Sequence, residues 1–317
     1  MENRRSIPLI ILCYAMIYLI WGSTYLFIAY AVEAIPAPWI LALRFSVSGI
    51  LFILIAVFRK GVTRLPTGRE FFSAVFLGVF LLILGNGTIT WAEKSVDSHL
   101  AALLISTVPL AVALFNGILY KARPGVWQIG GMIAGAAGVV FLLFRGGGEG
   151  FHLTPGILLI ITATLCWAFG TSFSRKLTPH PDIMMHTGMQ MMTAALISLP
   201  VAVATTGRWL PAVEGTTPLA WISLLYLACI GGSAIIGYNY LLKHEPTTRI
   251  TTYAFVNPLI ATLLGLFIRG EHGGPLLVPG MLLIFAGLFQ ILYLGRDKTK
   301  RENITPTIAG NNRIHHT

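Results

Sequence analysis

Residues 38–58 read PWILALRFSVSGILFILIAVF, and this stretch decides the fold class. A helix of about 20 apolar residues, rising 1.5 Å per residue, crosses the roughly 30 Å of hydrocarbon in a bilayer. Comparable stretches recur along the whole chain, in which 55% of the residues are hydrophobic and only 11% are charged. The sequence therefore predicts an all-α, multi-pass membrane protein, with the lipid bilayer as its main partner.

Ten apolar stretches are separated by segments that disfavour helix, such as Pro36-Ala37-Pro38 and Gly273-Gly274-Pro275. Residues 296–317 lack apolar periodicity, which predicts a disordered tail. The predicted spans are residues 8–31, 37–58, 71–91, 98–120, 125–144, 154–174, 183–205, 218–242, 248–268 and 276–294.

The basic residues, which give a net charge of +10, are spread over the loops and form no single patch, so no nucleic-acid partner is predicted. If both termini lie on one side, 17 Lys and Arg residues belong to that side and 4 to the other, and Arg44 inside a span completes the 22. Positively charged loops stay in the cytoplasm. This bias predicts cytoplasmic termini on a protein of the cytoplasmic (inner) membrane.

The two halves of the chain correspond at nearly constant offsets. At an offset of 146, Trp21 matches Trp167 and Arg44 matches Gln190. At an offset of 149 the matching pairs are Pro109 and Pro258, Gly131 and Gly280, and Gly138 and Gly287. Because a repeat of five spans is odd, its second copy must enter the membrane from the opposite side. The sequence predicts two inverted five-helix repeats, residues 1–145 and 146–295, around a central cavity.

Several short motifs carry a resemblance to a known family. The chain resembles the EamA-domain family of the drug/metabolite transporter superfamily over about residues 8–294. In the first half the motifs are Trp21-Gly22-Ser23-Thr24, Gly85-Asn86-Gly87-Thr88-Ile89-Thr90-Trp91-Ala92-Glu93 and Thr107-Val108-Pro109. In the second half they are Cys166-Trp167-Ala168-Phe169-Gly170, Tyr253-Ala254-Phe255-Val256-Asn257-Pro258 and Gly270-Glu271.

The resemblance implies a ten-span inner-membrane permease that alternates access to a central cavity and mainly exports metabolites. We therefore expect a secondary transporter, working as an exporter of a small organic metabolite or amino-acid-like compound. The alternative is a membrane sensor or scaffold that passes no cargo. No Walker loop, HExxH, CxxC or GxSxG pattern occurs in the sequence, which predicts neither an enzyme nor a cofactor.

Arg44 is the most informative single residue. An arginine inside an apolar span costs roughly 2.5–3.5 kcal/mol even on the lenient insertion scale. Its side chain can either snorkel to the nearby interface or face a polar cavity. Because its repeat partner Gln190 is also polar, we expect a cavity in which the guanidinium binds a substrate carboxylate or phosphate.

Uncharged hydrogen-bonding groups and flat aromatic rings inside the spans suit the recognition of an amphipathic substrate. Ordinary helix packing and interfacial belts are the structural alternative. With the Arg44 and Gln190 pair, the predicted substrate-binding residues are Trp21, Ser23, Thr24, Asn86, Thr90, Trp167, Asn239 and Asn257.

Glu93 and His99 belong to the densest ionisable cluster on the predicted outer side and are the proton-coupling candidates. Met185, Met189 and Met192 share a helix face, which apolar packing explains, so no metal site is predicted. The glycines near Gly131 and Gly280 predict close helix packing, either within one chain or at the interface of a homodimer.

Overall fold

The computed structural model describes residues 6–59, 64–96, 101, 104–143, 154–212, 215–269 and 276–294. These ranges form ten main helices joined by short links. The helices are α1 Ile7–Val32, α2 Ala37–Phe58, α3 Gly68–Ala92, α4 Val108–Tyr120, α5 Val126–Leu143, α6 Pro155–Phe173, α7 Ile183–Thr206, α8 Pro218–His244, α9 Tyr253–Arg269 and α10 Leu277–Phe289. A 3₁₀ turn, Ser174–Lys176, extends α6, and a π-helical turn, Gln290–Leu294, extends α10.

Six of these helices are long and apolar enough to cross a membrane: α1, α2, α3, α7, α8, and α6 together with its 3₁₀ turn. The shorter apolar helices include Val108–Tyr120, which has 13 residues. The chain is therefore a multi-pass α-helical membrane protein, whereas the count of ten spans stays a prediction. The helix limits lie within a few residues of the predicted spans, with two exceptions.

The first exception is the predicted span 98–120, which a turn at Ser106 and Thr107 interrupts before α4 begins at Val108. Pro109 is the cause, because proline has no N–H and disfavours helical backbone before it. The second exception is the predicted span 248–268. A short helix, Thr247–Ile250, ends at a turn before α9 begins at Tyr253.

The side chains of two threonines stabilise this second turn. The Thr251 hydroxyl donates to the Thr248 carbonyl at 3.2 Å, and the Thr252 hydroxyl donates to the Arg249 carbonyl at 2.6 Å. Such local bonds compete with the hydrogen bonds of a continuing helix. The sequence-based prediction missed the break because it weighed apolar length alone.

Helices from the two halves pack against each other along their lengths. α2 packs on α7, and α5 packs on α10. Glycines allow the close contact of α5 with α10, because a Cβ added at Gly138 would lie 2.7 Å from the Gly280 carbonyl oxygen. The predicted glycine surface therefore serves packing within one chain, while the inverted relation of the halves and the homodimer stay predictions.

Four of the described helices contain or continue into π-helical turns. Three of these turns lie beside the small cavity described in the next subsection. They are Met16–Ile20 in α1, Gly78–Gly87 in α3 and Leu227–Gly231 in α8. A π-helical turn shifts the helix face that follows it and often occurs at functional sites. Here the turns end beside or contain Trp21, Asn86 and Gly231, which all line that cavity.

Four features of the sequence analysis lie outside the described residues: His99, the Gly270-Glu271 motif, the Gly273-Gly274-Pro275 segment and the tail 296–317.

Candidate substrate-binding site

A small cavity of about 60 Å³ lies among α1, α2, α3, α4, α6, α8 and α9. It has room for a carboxylate-sized group, whereas pockets for whole metabolites are typically about 300–1,000 Å³. Six of the predicted binding residues line it: Trp21, Thr24, Arg44, Asn86, Trp167 and Asn257. The structure thus brings together residues from both halves of the chain.

Several polar atoms at this cavity are buried without a hydrogen-bond partner. They include Arg44 Nη1, Asn86 Oδ1 and Thr164 Oγ1. A buried polar atom left unpaired costs about 1–3 kcal/mol, so three of them around one space are hard to explain by packing. They offer a cationic donor, a carbonyl acceptor and a hydroxyl to a ligand.

Arg44 does not snorkel to the surface. It is 7% exposed, and its guanidinium carbon lies 4.5 Å from the centre of the Phe45 ring. The cation–π contact recovers part of the cost of burial. The structural alternative considered for this arginine therefore does not describe its side chain, which lines the cavity.

Aromatic rings form one wall of the small cavity. Trp21 is central, with ring-centroid distances of 5.5 Å to Trp167 and 5.1 Å to both Tyr238 and Tyr253. Tyr238 is fully buried, and its hydroxyl lies 2.6 Å from Thr171 Oγ1. We call Trp21, Trp167, Tyr238 and Tyr253 the aromatic cluster. It presents flat apolar faces beside the unpaired polar atoms.

The geometry of α3 fixes the position of Trp167. A Cβ added at Gly85 would come within 2.7 Å of the Trp167 ring atom Cε3. Only glycine leaves space for the indole at this point. Thr164, one turn before Trp167 on α6, directs its hydroxyl to the same cavity.

Glu93 follows the last residue of α3, outside the membrane-spanning segment Gly68–Ala92. Both of its carboxylate oxygens are buried and have no hydrogen-bond partner. Burial raises the pKa of Glu93 to about 8, and the positive charge of Arg44 opposes that rise. The carboxyl also interacts electrostatically with Tyr25, another residue that lines the cavity.

A second polar group, which we call the amide network, lies between α7 and α8. Gln190 and Asn239 exchange two hydrogen bonds, of 3.3 and 3.0 Å. Gln190 Nε2 also lies 2.9 Å from His186 Nε2, and Asn239 Nδ2 donates to Thr187 Oγ1 at 2.9 Å. These predicted residues are thus paired with each other and do not line the small cavity.

The other predicted residues make local bonds. Ser23 Oγ donates to the Ile20 carbonyl and lies 2.6 Å from the Tyr226 hydroxyl, and Thr90 Oγ1 donates to the Asn86 carbonyl at 3.0 Å. Neither Ser23 nor Thr90 lines the small cavity. The Asn257 amide lies 3.2 Å from the carbonyl oxygens of Ile17, Tyr18 and Tyr253, to which its nitrogen donates when turned toward them.

A much larger cavity, of about 1,000 Å³, lies toward the end of the bundle where α4, α6 and α8 finish. Its walls include Asn239 of the amide network and, one residue on, Tyr240. Tyr238, one residue earlier on α8, belongs to the aromatic cluster beside the small cavity, and no residue of that cluster lines the larger cavity. Four cationic residues line the larger cavity and define what we call the basic end: Lys121, Arg123, Arg175 and Lys243.

Sequence reasoning missed Tyr25, Thr164, Tyr238 and Tyr253 as parts of the site. Tyr253 stands in a motif that was recognised, and Thr164 lies three residues before Trp167, on the same helix face. Helical spacing from a predicted cavity residue was therefore the available signal for Thr164. For Tyr25 and Tyr238 the sequence contains no such signal, because many other aromatic residues in the predicted spans were equally good candidates.

Comparison with known proteins supports a transport role. The EamA-like transporter family matches the chain twice, at residues 8–144 and 154–293. The uncharacterized inner membrane transporter YedA of Escherichia coli (strain K12) is 34% identical over 274 residues, covering 86% of each protein. Protein PagO of Salmonella typhimurium (strain LT2) is 26% identical over 292 residues, covering 90% of this chain and 94% of PagO.

A solved crystal structure shares the fold, with a TM-score of 0.72 and 22% identity over 92% of this chain and 99% of that one. The repeated family match agrees with the division of the cavity-lining residues between the two halves. With both halves matched and a relative at 34% identity, the chain belongs to the EamA-like transporter family of membrane proteins.

Proposed function

We propose that this chain is a secondary transporter that exports a small organic metabolite or amino-acid-like compound across the cytoplasmic membrane by alternating access. The observation that carries the proposal is the small cavity, where Arg44, Asn86 and Thr164 each present a buried polar atom without a partner. Such atoms find partners when a ligand enters. The aromatic cluster beside them suits a ligand with an apolar or aromatic part.

The two cavities suggest which state the structure represents. The large cavity at the basic end offers entry from one side, and the small cavity is a separate space that shares no lining residue with it. In the proposed orientation the basic end faces the cytoplasm, as the distribution of Lys and Arg predicts. The structure then corresponds to a state in which cargo enters from the cytoplasm and the aromatic cluster moves to admit it.

Flux measurements test the transport function. Untargeted metabolite profiles of cells that overproduce the chain are compared with those of cells that overproduce Arg44→Ala at equal membrane abundance. Compounds depleted from the cells only by the parental chain are then assayed in proteoliposomes. Saturable flux supports the proposal, whereas binding without flux for every such compound supports a sensor or scaffold instead.

The orientation has its own test. A phosphatase fused after residue 295 should stay inactive, and a fluorescent protein at the same position should fold. Each of these outcomes is expected only if the fusion lies on the cytoplasmic side. An active phosphatase would contradict the proposed orientation without bearing on transport itself.

A further inference from the structure

Glu93 and Arg44 are buried opposite charges that do not pair. Both Glu93 oxygens and Arg44 Nη1 lack a hydrogen-bond partner, and the two groups interact only through space. Elsewhere in the described residues, oppositely charged side chains form salt bridges. Arg64 and Glu70 come within 2.6 Å, and Arg249 and Glu245 within 3.3 Å. The open pair at the small cavity therefore leaves the guanidinium available to another anion.

A carboxylate entering the small cavity would compete with Glu93 for the same positive charge. Arg44 lines that cavity, whereas Glu93 does not, so an entering anion can contact the guanidinium directly. When Glu93 is ionised, two carboxylates and one guanidinium around this cavity leave one negative charge uncompensated. Such a charge is costly in a low-dielectric environment, and protonation removes it.

Resting on the transport function proposed above, we propose that an organic carboxylate binds to Arg44 together with one proton, which is taken from solvent and held on the Glu93 carboxyl. The proton forms an O–H bond at Glu93, and no other covalent bond changes. Starting from the ionised Glu93 carboxylate, the site carries the same net charge before and after binding. The substrate class is therefore a monocarboxylate whose binding is linked to protonation.

Among the described residues, the other charged groups around Glu93 leave it as the site of protonation. Arg44 faces it from α2 and Tyr25 from α1, and a tyrosine phenol is neutral near pH 7. Lys94 follows in the chain but its side chain is exposed. α6 approaches through Gly156, which meets Ser95 and Val96 and brings no titratable group to this contact. The elevated pKa of Glu93, about 8, places the exchange in an accessible pH range.

Infrared difference spectroscopy on the full chain in lipid nanodiscs tests this inference. The probe is acetate, which fits the small cavity as it stands, and acetamide is the uncharged control. At a pH of about 9, above the pKa of Glu93, acetate should increase the band of a protonated carboxyl group, whereas at a pH of about 6 the group is already protonated and the band should not change. Above the pKa, the apparent acetate Kd should rise about tenfold per pH unit.

Variants assign the band and the anion. In Glu93→Gln the acetate-induced band should vanish, and acetate affinity should become independent of pH. The matched variant Lys94→Gln removes the neighbouring exposed charge and should behave as the parental chain. No acetate-induced band in the parental chain, an equal band with acetamide, or a band that persists in Glu93→Gln would each overturn the inference.

The parental measurement needs no variant, so the test stands even if Glu93→Gln fails to fold. It is also separate from the test of transport. Metabolite flux without the acetate-induced band would leave the transporter function intact and reject proton linkage. The acetate-induced band without metabolite flux would support proton linkage and reject the transport function.

Discussion

Arg44 and Gln190 occupy matching positions in the two halves of the sequence, yet they end in opposite surroundings. Arg44 Nη1 lacks a hydrogen-bond partner at the small cavity, whereas Gln190 is fully buried and bonded to Asn239 and His186. Arg44 keeps a hydrogen-bond donor available to a ligand, whereas Gln190 uses its hydrogen-bonding groups within the protein. We therefore propose that ligand recognition belongs to the Arg44 side and structural support to the Gln190 side.

The contrast extends to the helices that carry the two residues. α2 and α7 pack along each other, so the Arg44 side and the amide network share one helix pair. The amide network also ties α7 to α8 and borders the large cavity through Asn239 and His186. The following predictions test this division of roles, beginning with the largest expected effect.

The largest effect is expected for Arg44→Lys. Lysine keeps the charge but loses the planar fork that binds a carboxylate in two places. Losing one charge-assisted hydrogen bond costs about 1.5–3 kcal/mol, so flux of the identified cargo should fall at least about tenfold. Membrane abundance and thermal stability should stay near parental values.

The matched control is Arg208→Lys, at an exposed arginine after α7. It should transport at the parental rate. If Arg44→Lys transports equally well, or does not accumulate in the membrane, the recognition role assigned to Arg44 is wrong.

Gln190→Leu should show the opposite pattern. It leaves Asn239 Oδ1 and His186 Nε2 buried without their present partner. The free energy of unfolding should therefore fall by about 1–3 kcal/mol, seen as a lower Tm in detergent. Flux per folded molecule should fall much less than in Arg44→Lys.

Thr193→Val provides the control on the same helix, because Thr193 makes only a local bond to the Met189 carbonyl at 2.8 Å. Its stability should change by less than about 1 kcal/mol. If Gln190→Leu keeps full stability but loses flux, Gln190 belongs to the binding site and the structural role assigned to it is wrong.

The sequence predicted the helices better than the surroundings of single side chains. Apolar length and loop chemistry located ten helices, because both are local properties. The repeat offset also predicted that Trp21 and Trp167 meet, and their rings lie 5.5 Å apart at one cavity. The same offset paired Arg44 with Gln190 in the predicted binding site, whereas only Arg44 lines the small cavity, because Gln190 bonds to Asn239 on a third helix. No local pattern records that partner.

Gly85→Ala tests whether α3 holds Trp167 at the small cavity. The added methyl group would lie 2.7 Å from Trp167 Cε3, in a crowded aromatic cluster. Overpacking of this kind costs about 1–3 kcal/mol. Combining it with Trp167→Phe should recover part of the loss, because the smaller ring vacates that space.

The double-mutant cycle should give a coupling of at least about 0.5 kcal/mol by thermal unfolding. Gly87→Ala is the matched control, since its added Cβ would meet only the methyl end of Leu41 at 3.2 Å and the Leu82 carbonyl oxygen at 3.3 Å. Additive effects of Gly85→Ala and Trp167→Phe would show that α3 does not position this ring.

The smallest effect is expected for Tyr238→Phe, which keeps the ring in the aromatic cluster and removes one hydroxyl. The lost bond to Thr171 Oγ1, 2.6 Å long, should cost about 0.5–1.5 kcal/mol, because a helical threonine can turn its hydroxyl to a backbone carbonyl. Thr171→Val should cost a similar amount, about 0.5–1.5 kcal/mol, since the Trp167 side chain also interacts with the buried phenol. Replacing both should cost less than the sum of the two. If the two losses simply add in thermal unfolding, this hydrogen bond does not hold the Tyr238 ring in the aromatic cluster.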